Sequence, residues 1–281
     1  MMQLQWRRGG DEDLSMLWQR GFGDGPDWIG RFFRRLPQTR SAVLLQNGQA
    51  VSMALAMDGM TLLRPGRAAL PLVYAYCVTT LPEHRGQGCS RRVMRALHDD
   101  ARQRGALLCW RPATPALADW YAAILPVQAG FPLAVQTVQA RPDTDGIPVT
   151  PQPAAPADYA AAREALLASR AHAAFSPALL ALQAENSAAS GGGLWLLRSP
   201  AGCGCAVTER GEDGTLYVKE LLSDALAPEA AAQALLRAHG AHTAQLRLPV
   251  WNDRTAQPAV QAASGAPVDG LGGAWFGLFF D

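Results

Sequence analysis

A short glycine-rich segment, Arg85-Gly86-Gln87-Gly88-Cys89-Ser90, has the residue types that most directly indicate chemistry. It follows an apolar run at 72–78 that is typical of a β-strand, and it precedes a stretch with the 3.6-residue apolar period of an amphipathic helix. Glycines between a strand and a helix N-terminus leave backbone N–H groups available to an anion, and the helix dipole favours negative charge there. Arg85 adds a guanidinium beside the turn. The segment therefore predicts a site for a ligand that carries phosphate.

Three phosphate-binding patterns compete for this segment. A Walker loop needs a lysine followed by Ser or Thr, and the segment contains no lysine. A dinucleotide-binding loop needs G-x-G-x-x-G, but Arg91 stands where the third glycine would pack closely against the strand. The pattern [Q/R]-x-x-G-x-[G/A] fits best, because Arg85 and Gly88 fall in place and Ser90 puts another small residue at the sixth position.

The longer segment Val78–Ser90 resembles motif A of the GNAT superfamily, the N-acetyltransferases that use acetyl-CoA. The family pattern is a strand, a proline, two residues and then Arg-Gly-x-Gly, which Pro82 and Arg85–Gly88 match. Ser90 departs from it mildly, since the family usually has Gly or Ala there. The resemblance implies an α/β fold with a mixed sheet (α+β) and acetyl-CoA as co-substrate, with no metal.

The resemblance also assigns roles to the loop and to the strand before it. Backbone N–H groups of the loop would bind the pyrophosphate of coenzyme A, and those at the strand end would polarise the thioester carbonyl. Cys89 could be a nucleophile at a helix N-terminus, but we favour a structural role because the family has an apolar side chain there. The expected cofactor-binding residues are Val78, Thr79, Thr80, Arg85, Gly86, Gln87, Gly88, Cys89, Ser90 and Arg91.

Tyr121 is the expected catalytic residue. In the family a tyrosine on the helix after the next strand protonates the leaving thiolate, and Trp120-Tyr121 resembles that aromatic-Tyr segment. Leu125-Pro126 replaces the Gly-Phe that usually follows. The general base stays open among several groups, which are Asp58, Tyr74, Tyr76, Glu83, His84 and the terminal Asp281.

Composition excludes several classes of function. The formal net charge of +1 gives no electrostatic basis for nucleic acid or a membrane as the main partner. The N-terminal residues lack the apolar core of a signal peptide, so we expect a cytoplasmic protein. An odd number of cysteines, 5, argues against a disulfide framework. Cys203-Gly204-Cys205 has no second Cys/His pair at ligand spacing, so no metal site is expected.

The order of predicted elements indicates two domains with the same fold. Residues 1–140 give the GNAT order, and proline-rich residues 141–156 read as an irregular linker. Residues 157–281 repeat the order of helices and strands, which predicts a degenerate GNAT-like domain. The link between Leu222 and Pro228 contains no glycine, so this second domain is not expected to hold a pyrophosphate.

Together these features favour an acetyl-CoA-dependent N-acetyltransferase that acts on a small amine or an amino-terminal group. A second hypothesis is a transferase that uses a longer acyl-CoA. A non-catalytic acyl-CoA sensor is the alternative from another class, and Tyr121 favours the enzyme.

Overall fold

The computed structural model describes residues 1–128, 130–142, 148–251, 260–264, 267–278 and 280. Its strands are β1 (Met2–Arg8), β2 (Arg40–Gln46), β3 (Gln49–Leu63), β4 (Leu70–Thr80), β5 (Leu107–Trp110), β6 (Val127–Gln128), β7 (Leu133–Gln139), β8 (Thr150–Pro153), β9 (His172–Phe175), β10 (Gly193–Ser199), β11 (Gly202–Arg210), β12 (Leu216–Ser223), β13 (Thr243–Pro249) and β14 (Gln261–Ala263). Its helices are α1 (Glu12–Phe22), α2 (Pro26–Arg35), α3 (Cys89–Gln103), α4 (Pro115–Ile124), α5 (Pro156–Leu167), α6 (Pro177–Ala189) and α7 (Pro228–His239).

No helix in the described part of the chain combines the length and apolar character that crossing a bilayer requires.

The chain divides into two compact units whose boundaries differ from the predicted ones. Unit 1 holds residues 1–62, 68–130 and 260–271. Unit 2 holds residues 63–67, 131–259 and 272–281. The sequence predicted a single change of domain after residue 140, whereas the chain returns to unit 1 near its end.

The sheet of unit 1 has the strand order β1-β2-β3-β4-β5-β14-β6. Its strands pair antiparallel except for β4 and β5, which are parallel and are joined by α3. The hairpin of β2 and β3 turns at Asn47-Gly48, where both residues have positive φ, as the sequence predicted.

Helix α3 packs on this sheet through the apolar stripe that the sequence predicted. Val93, Met94, Leu97 and Ala101 follow the helical period and are buried. They join one core cluster with small residues of the strands, such as Ala54. Small strand residues let the helix approach closely, which brings its N-terminus to the end of β4.

The sheet of unit 2 has the strand order β7-β13-β12-β11-β10-β8 and repeats the architecture of unit 1. Strands β12 and β13 pair in parallel and are joined by α7, as α3 joins β4 and β5. An edge strand precedes the first helix in both units, β1 in one and β8 in the other. This confirms the two-half architecture, with a mixed sheet in each half.

Two sequence predictions about strands are wrong. Leu133–Ala140 was expected to complete the first domain, but β7 pairs with β13 in unit 2, and β14 lies beside β5 instead. Residues 150–153 were expected to belong to an irregular linker, but they form β8 against β10. Proline lacks an N–H donor, yet an edge strand needs hydrogen bonds on only one side, so Pro151 and Pro153 are tolerated there.

A buried charged network ties the C-terminal segment to unit 2. Glu220 is fully buried, and its carboxylate accepts from Tyr159, from Arg163 Nε at 2.9 Å and from the Trp275 indole. Arg163 also donates to the carbonyl of Phe276 at 3.2 Å. Burial is the largest influence on the Arg163 pKa and lowers it, but the charge of Glu220, the hydrogen bond to it and the nearby Tyr159 and Glu164 together outweigh burial, so the net shift is upward and the guanidinium stays charged.

Glu220→Gln is therefore expected to destabilise unit 2 by about 3–5 kcal/mol, because it removes the fully buried counter-charge of Arg163 and leaves only the partly exposed Glu164 paired with it. Urea denaturation of the full chain measures the loss. Glu212→Gln is the matched control, since this glutamate lies exposed in a turn of the same unit. Equal unfolding midpoints for the two variants would contradict the role given to Glu220.

Candidate active site

A cleft of about 600 Å³ opens in unit 1 where β4 ends and α3 begins. The glycine-rich loop forms one wall and helix α4 contributes the other. Its lining residues are Val78, Thr80, His84, Arg85, Gly86, Gln87, Gly88, Cys89, Ser90, Arg91, Leu117, Trp120 and Tyr121. The structure thus brings together all the predicted site residues except Thr79.

The loop has the backbone conformation that its glycines predict. Gly86 and Gly88 both have φ of +76°, in the left-handed region that L side chains rarely adopt. A Cβ added at either glycine would meet no protein atom within 4 Å, so both face open space. Gly88 is the N-cap of α3, and no side chain of the described residues caps that end. The N–H groups of the first turn lack intrahelical acceptors and can bind an anion there.

The end of β4 departs from its neighbours on both sides. Its parallel pairing with β5 covers only Leu72–Tyr74, so residues 75–80 extend beyond their partner. On the other side a β-bulge places Cys77 and Val78 opposite the single residue Ala54, and Cys77 has φ of +48°. Such bulges re-aim backbone groups beside active sites. Backbone donors at the strand end can therefore serve the cleft.

Thr79 lies outside the cleft because its side chain points the other way. A Cβ on Gly21 of α1 would collide with Thr79 Oγ1, so the threonine packs directly on that helix. The next residue, Thr80, contacts Ser90 on α3. Successive strand residues face opposite sides of a sheet, so α1 and α3 cover its two faces.

Cys89 is buried at the start of α3 and its thiol is held by the chain. Its Sγ donates to the carbonyl of His84 at 3.6 Å, and the residue is 2% exposed. Burial raises the pKa of the Cys89 thiol, and the opposing effect of Arg92 is smaller. A thiol that stays protonated is a weak nucleophile, which supports the structural role over the catalytic one.

Two arginines, one in the loop and one in the first turn of α3, give the cleft a positive rim. Arg85 and Arg91 are exposed and line the opening. Arg85 Nε donates to the carbonyl of Thr80 at 3.3 Å, which keeps the guanidinium beside the loop. Cations next to an uncapped helix N-terminus reinforce its attraction for phosphate.

Tyr121 reaches the cleft from helix α4, whose N-cap Thr114 accepts from the N–H of Leu117 at 3.2 Å. Its ring packs against Trp110 and Trp120, with centroids 5.2 and 4.9 Å away. The hydroxyl has no hydrogen-bond partner among the described residues, and burial raises the pKa of Tyr121 to about 12. The phenol therefore keeps its proton at neutral pH and has it available for a group in the cleft.

Of the candidate bases that the structure describes, His84 is the one that lines the cleft. Glu83 is exposed and lies 3.6 Å from Arg20, and Asp58 pairs with Arg104 at 2.9 Å. Tyr76 stacks on Phe32, with ring centroids 5.6 Å apart. Asp281 lies outside the described residues.

Sequence reasoning missed Leu117 and Trp120 as lining residues. Leu117 lies four positions before Tyr121 and three before Trp120, so it shares a helix face with both, and Trp120 directly precedes the tyrosine. The local sequence therefore did contain the signal that places these apolar side chains beside the tyrosine.

The equivalent turn of unit 2 carries its own negative charge. Asp224 Oδ1 accepts from the N–H groups of Cys203 at 2.9 Å and Ala225 at 2.6 Å. The hydrogen bond from the Cys203 backbone lowers the pKa of Asp224, so its carboxylate is charged at neutral pH. A fixed carboxylate repels phosphate, in contrast to the loop of unit 1.

Comparison with known proteins identifies the segment that contains the cleft. Residues 11–121 match the family model of the acetyltransferase (GNAT) domain, and this match ends at the cleft tyrosine. A sequence comparison with curated proteins finds no match.

Solved structures share the fold over nearly the whole chain. A protein from Enterococcus faecalis V583, described as a probable N-acyltransferase, is 18% identical with a TM-score of 0.69, over 92% of this chain and 72% of its own. A GCN5-related N-acetyltransferase from Kribbella flavida is 19% identical with a TM-score of 0.62, over 93% and 71%. A tandem GNAT protein from the clavulanic acid biosynthesis pathway is 12% identical with a TM-score of 0.59, over 96% and 100%. At these identities the likeness concerns the fold.

Proposed function

From the GNAT acetyltransferase domain of residues 11–121, we propose that this chain is an acetyl-CoA-dependent N-acetyltransferase that acts on a small amine or an amino-terminal group. The observation that carries the proposal is the cleft of unit 1. It combines an uncapped helix N-terminus, two left-handed glycines and a protonated tyrosine within one opening.

The loop fits the pyrophosphate of coenzyme A in chemistry and in space. N–H groups of Gln87, Gly88, Ser90 and Arg91 would donate to phosphate oxygens, and the bare Cα atoms of the glycines let the phosphates approach. Arg85 and Arg91 would balance the charge. The corresponding turn of unit 2 holds Asp224 instead, so we assign the co-substrate to unit 1 alone.

The transfer requires a polarised carbonyl and a proton for the leaving sulfur. Backbone donors of Val78–Thr80, freed by the end of the β4–β5 pairing, would stabilise negative charge on the thioester oxygen. The amine attacks the carbonyl carbon, the carbon–sulfur bond breaks, and Tyr121 gives its proton to the sulfur. The proton of the amine leaves through water or through His84, the candidate base that lines the cleft.

A small-molecule acceptor is favoured by the charge of the chain. A formal net charge of +1 provides neither the basic surface that nucleic acid needs nor a strongly acidic one for polycations. An acyl-CoA sensor is the rival function, and Tyr121 distinguishes them, since a sensor has no use for a proton donor beside the cleft.

An acetyl-transfer assay with a panel of primary amines and amino-terminal peptides tests the proposal. Release of free thiol from acetyl-CoA that depends on both chain and amine is the expected result. Tight binding of acetyl-CoA without thiol release on any amine would favour the sensor.

A further inference from the structure

A chain of three hydroxyl groups connects the strand end to the phosphate loop in unit 1. Ser52 Oγ of β3 lies 2.8 Å from Thr80 Oγ1 of β4, and Thr80 Oγ1 lies 2.7 Å from Ser90 Oγ of α3. Ser52 Oγ also donates to the carbonyl oxygen of Thr79 at 2.8 Å. Ser52 is fully buried and Thr80 is nearly so.

The direction of this chain follows from counting protons. A hydroxyl carries one proton, and a carbonyl can only accept. Ser52 gives its proton to the Thr79 carbonyl, so it must accept from Thr80. Thr80 has then used its proton, so it must accept from Ser90. The hydrogen bonds all run inward, from the loop to the strand.

This direction determines what Ser90 can do. Its hydroxyl proton is committed to Thr80, so it is not available to a phosphate oxygen. Only its backbone N–H can face an anion there, as for any residue at this position. The serine that replaces the usual small Gly or Ala of the pattern therefore serves as a link to β4.

The link joins two parts of the cleft that would act on opposite ends of one long ligand. The glycine-rich loop and the N-terminus of α3 would bind the pyrophosphate, and Val78–Thr80 would bind the acyl end. The loop itself gives little stiffness, because its two left-handed glycines lack side chains. Beyond the hydroxyl chain, Arg85 reaches the same threonine, through its carbonyl at 3.3 Å.

We propose that Ser52, Thr80 and Ser90 are positioning residues whose hydroxyl chain holds the strand end in register with the phosphate loop. The proposal rests on the proposed function, since it assumes a ligand that spans both parts. With the pyrophosphate bound in the loop, the hydroxyl chain would fix the position of the acyl end at Val78–Thr80. A misplacement of about 1 Å at a reacting centre costs on the order of 100-fold in rate.

Calorimetry with two ligands tests this, using ADP as a probe of the phosphate loop and acetyl-CoA as a probe of the whole cleft. Thr80→Val keeps the shape of the side chain and removes the central hydroxyl. It is expected to weaken acetyl-CoA binding by about tenfold or more, because it removes a hydrogen bond to the buried Ser52, and to change ADP binding by less than about threefold. Thr80→Ser, which restores the hydroxyl, should regain most of the lost affinity.

Two further variants keep the result interpretable. Ser90→Ala removes the outermost hydroxyl of the chain, and Thr80 can still donate to Ser52. This variant should weaken the binding of acetyl-CoA and leave the binding of ADP nearly unchanged, as Thr80→Val does. Ser41→Ala is the control, because Ser41 is a fully buried serine of the same sheet whose hydroxyl has no partner in the described part of the chain. It should leave both affinities unchanged.

Equal losses for ADP and acetyl-CoA in Thr80→Val and Ser90→Ala would show a structural role and would overturn the proposal, as would no loss in either. Failure of the wild type to bind acetyl-CoA would instead contradict the proposed function, on which this inference rests. The wild-type titration therefore separates the two failures.

Discussion

Gly88→Asp is expected to weaken the binding of coenzyme A by about 100-fold or more. Gly88 has φ of +76°, where a side chain costs about 1–2 kcal/mol, although aspartate is among the residues that tolerate this region best. The larger effect is electrostatic, because the new carboxylate would stand at the N-terminus of α3 beside the proposed site of the two phosphates. A difference of 1.4 kcal/mol corresponds to about tenfold in affinity. A like-charge repulsion of a few kcal/mol therefore accounts for the expected 100-fold loss of affinity.

Gly105→Asp is the control for this substitution. Gly105 lies just beyond the other end of α3, has φ of +64°, and would carry its new Cβ into open space as Gly88 would. The same strain and the same charge are thus introduced away from the cleft. Calorimetric titration should show unchanged affinity for this control. A Gly88→Asp chain that is folded and binds coenzyme A as tightly as the control would refute the role of the loop.

Tyr121→Phe is expected to lower kcat by about 100-fold and to change the affinity for acetyl-CoA by less than about threefold. Proton transfer by a positioned side chain contributes about 100-fold or more to a rate. The ring would still pack against Trp110 and Trp120, and the hydroxyl has no partner in the described residues that its removal would leave unpaired. The loss should therefore fall on turnover.

Steady-state kinetics together with calorimetry separate the two effects. Tyr217→Phe makes the same chemical change in strand β12 of unit 2 and should leave both quantities unchanged. If Tyr121→Phe lost affinity in proportion to its rate, the tyrosine would be a packing residue. An unchanged kcat would show that Tyr121 is not the proton donor.

The loop and the helix after it could be predicted because their signals are local. The spacing of Arg85, Gly86 and Gly88, together with the apolar stripe of α3, lies within a single strand–loop–helix segment. Tyr121 follows from its place on the next helix. The family model matches this same part of the chain, residues 11–121.

Strand membership could not be predicted in the same way. β7 directly follows the strands of unit 1 but lies in the sheet of unit 2, and β14 follows the strands of unit 2 but lies in the sheet of unit 1. Only contacts between residues far apart in the sequence decide these positions. β8 was missed because its prolines suggest an irregular linker, and the edge position that tolerates them is a property of the whole sheet.

The inner details of the site also depend on distant contacts. Nothing in the segment around Thr79 and Thr80 tells which of the two faces the cleft, since that depends on the bulge at Cys77. The hydroxyl chain requires Ser52, which lies on another strand and has no motif of its own. Long-range contacts of this kind decide how a locally predicted loop is held.

Titration of acetyl-CoA into the purified, folded chain shows whether the cleft of unit 1 binds this ligand. We expect saturable binding of one equivalent, at unit 1, with a dissociation constant below about 1 mM, in the range of ordinary enzyme substrates. A chain that gives no heat with either acetyl-CoA or coenzyme A at millimolar concentration would contradict this expectation.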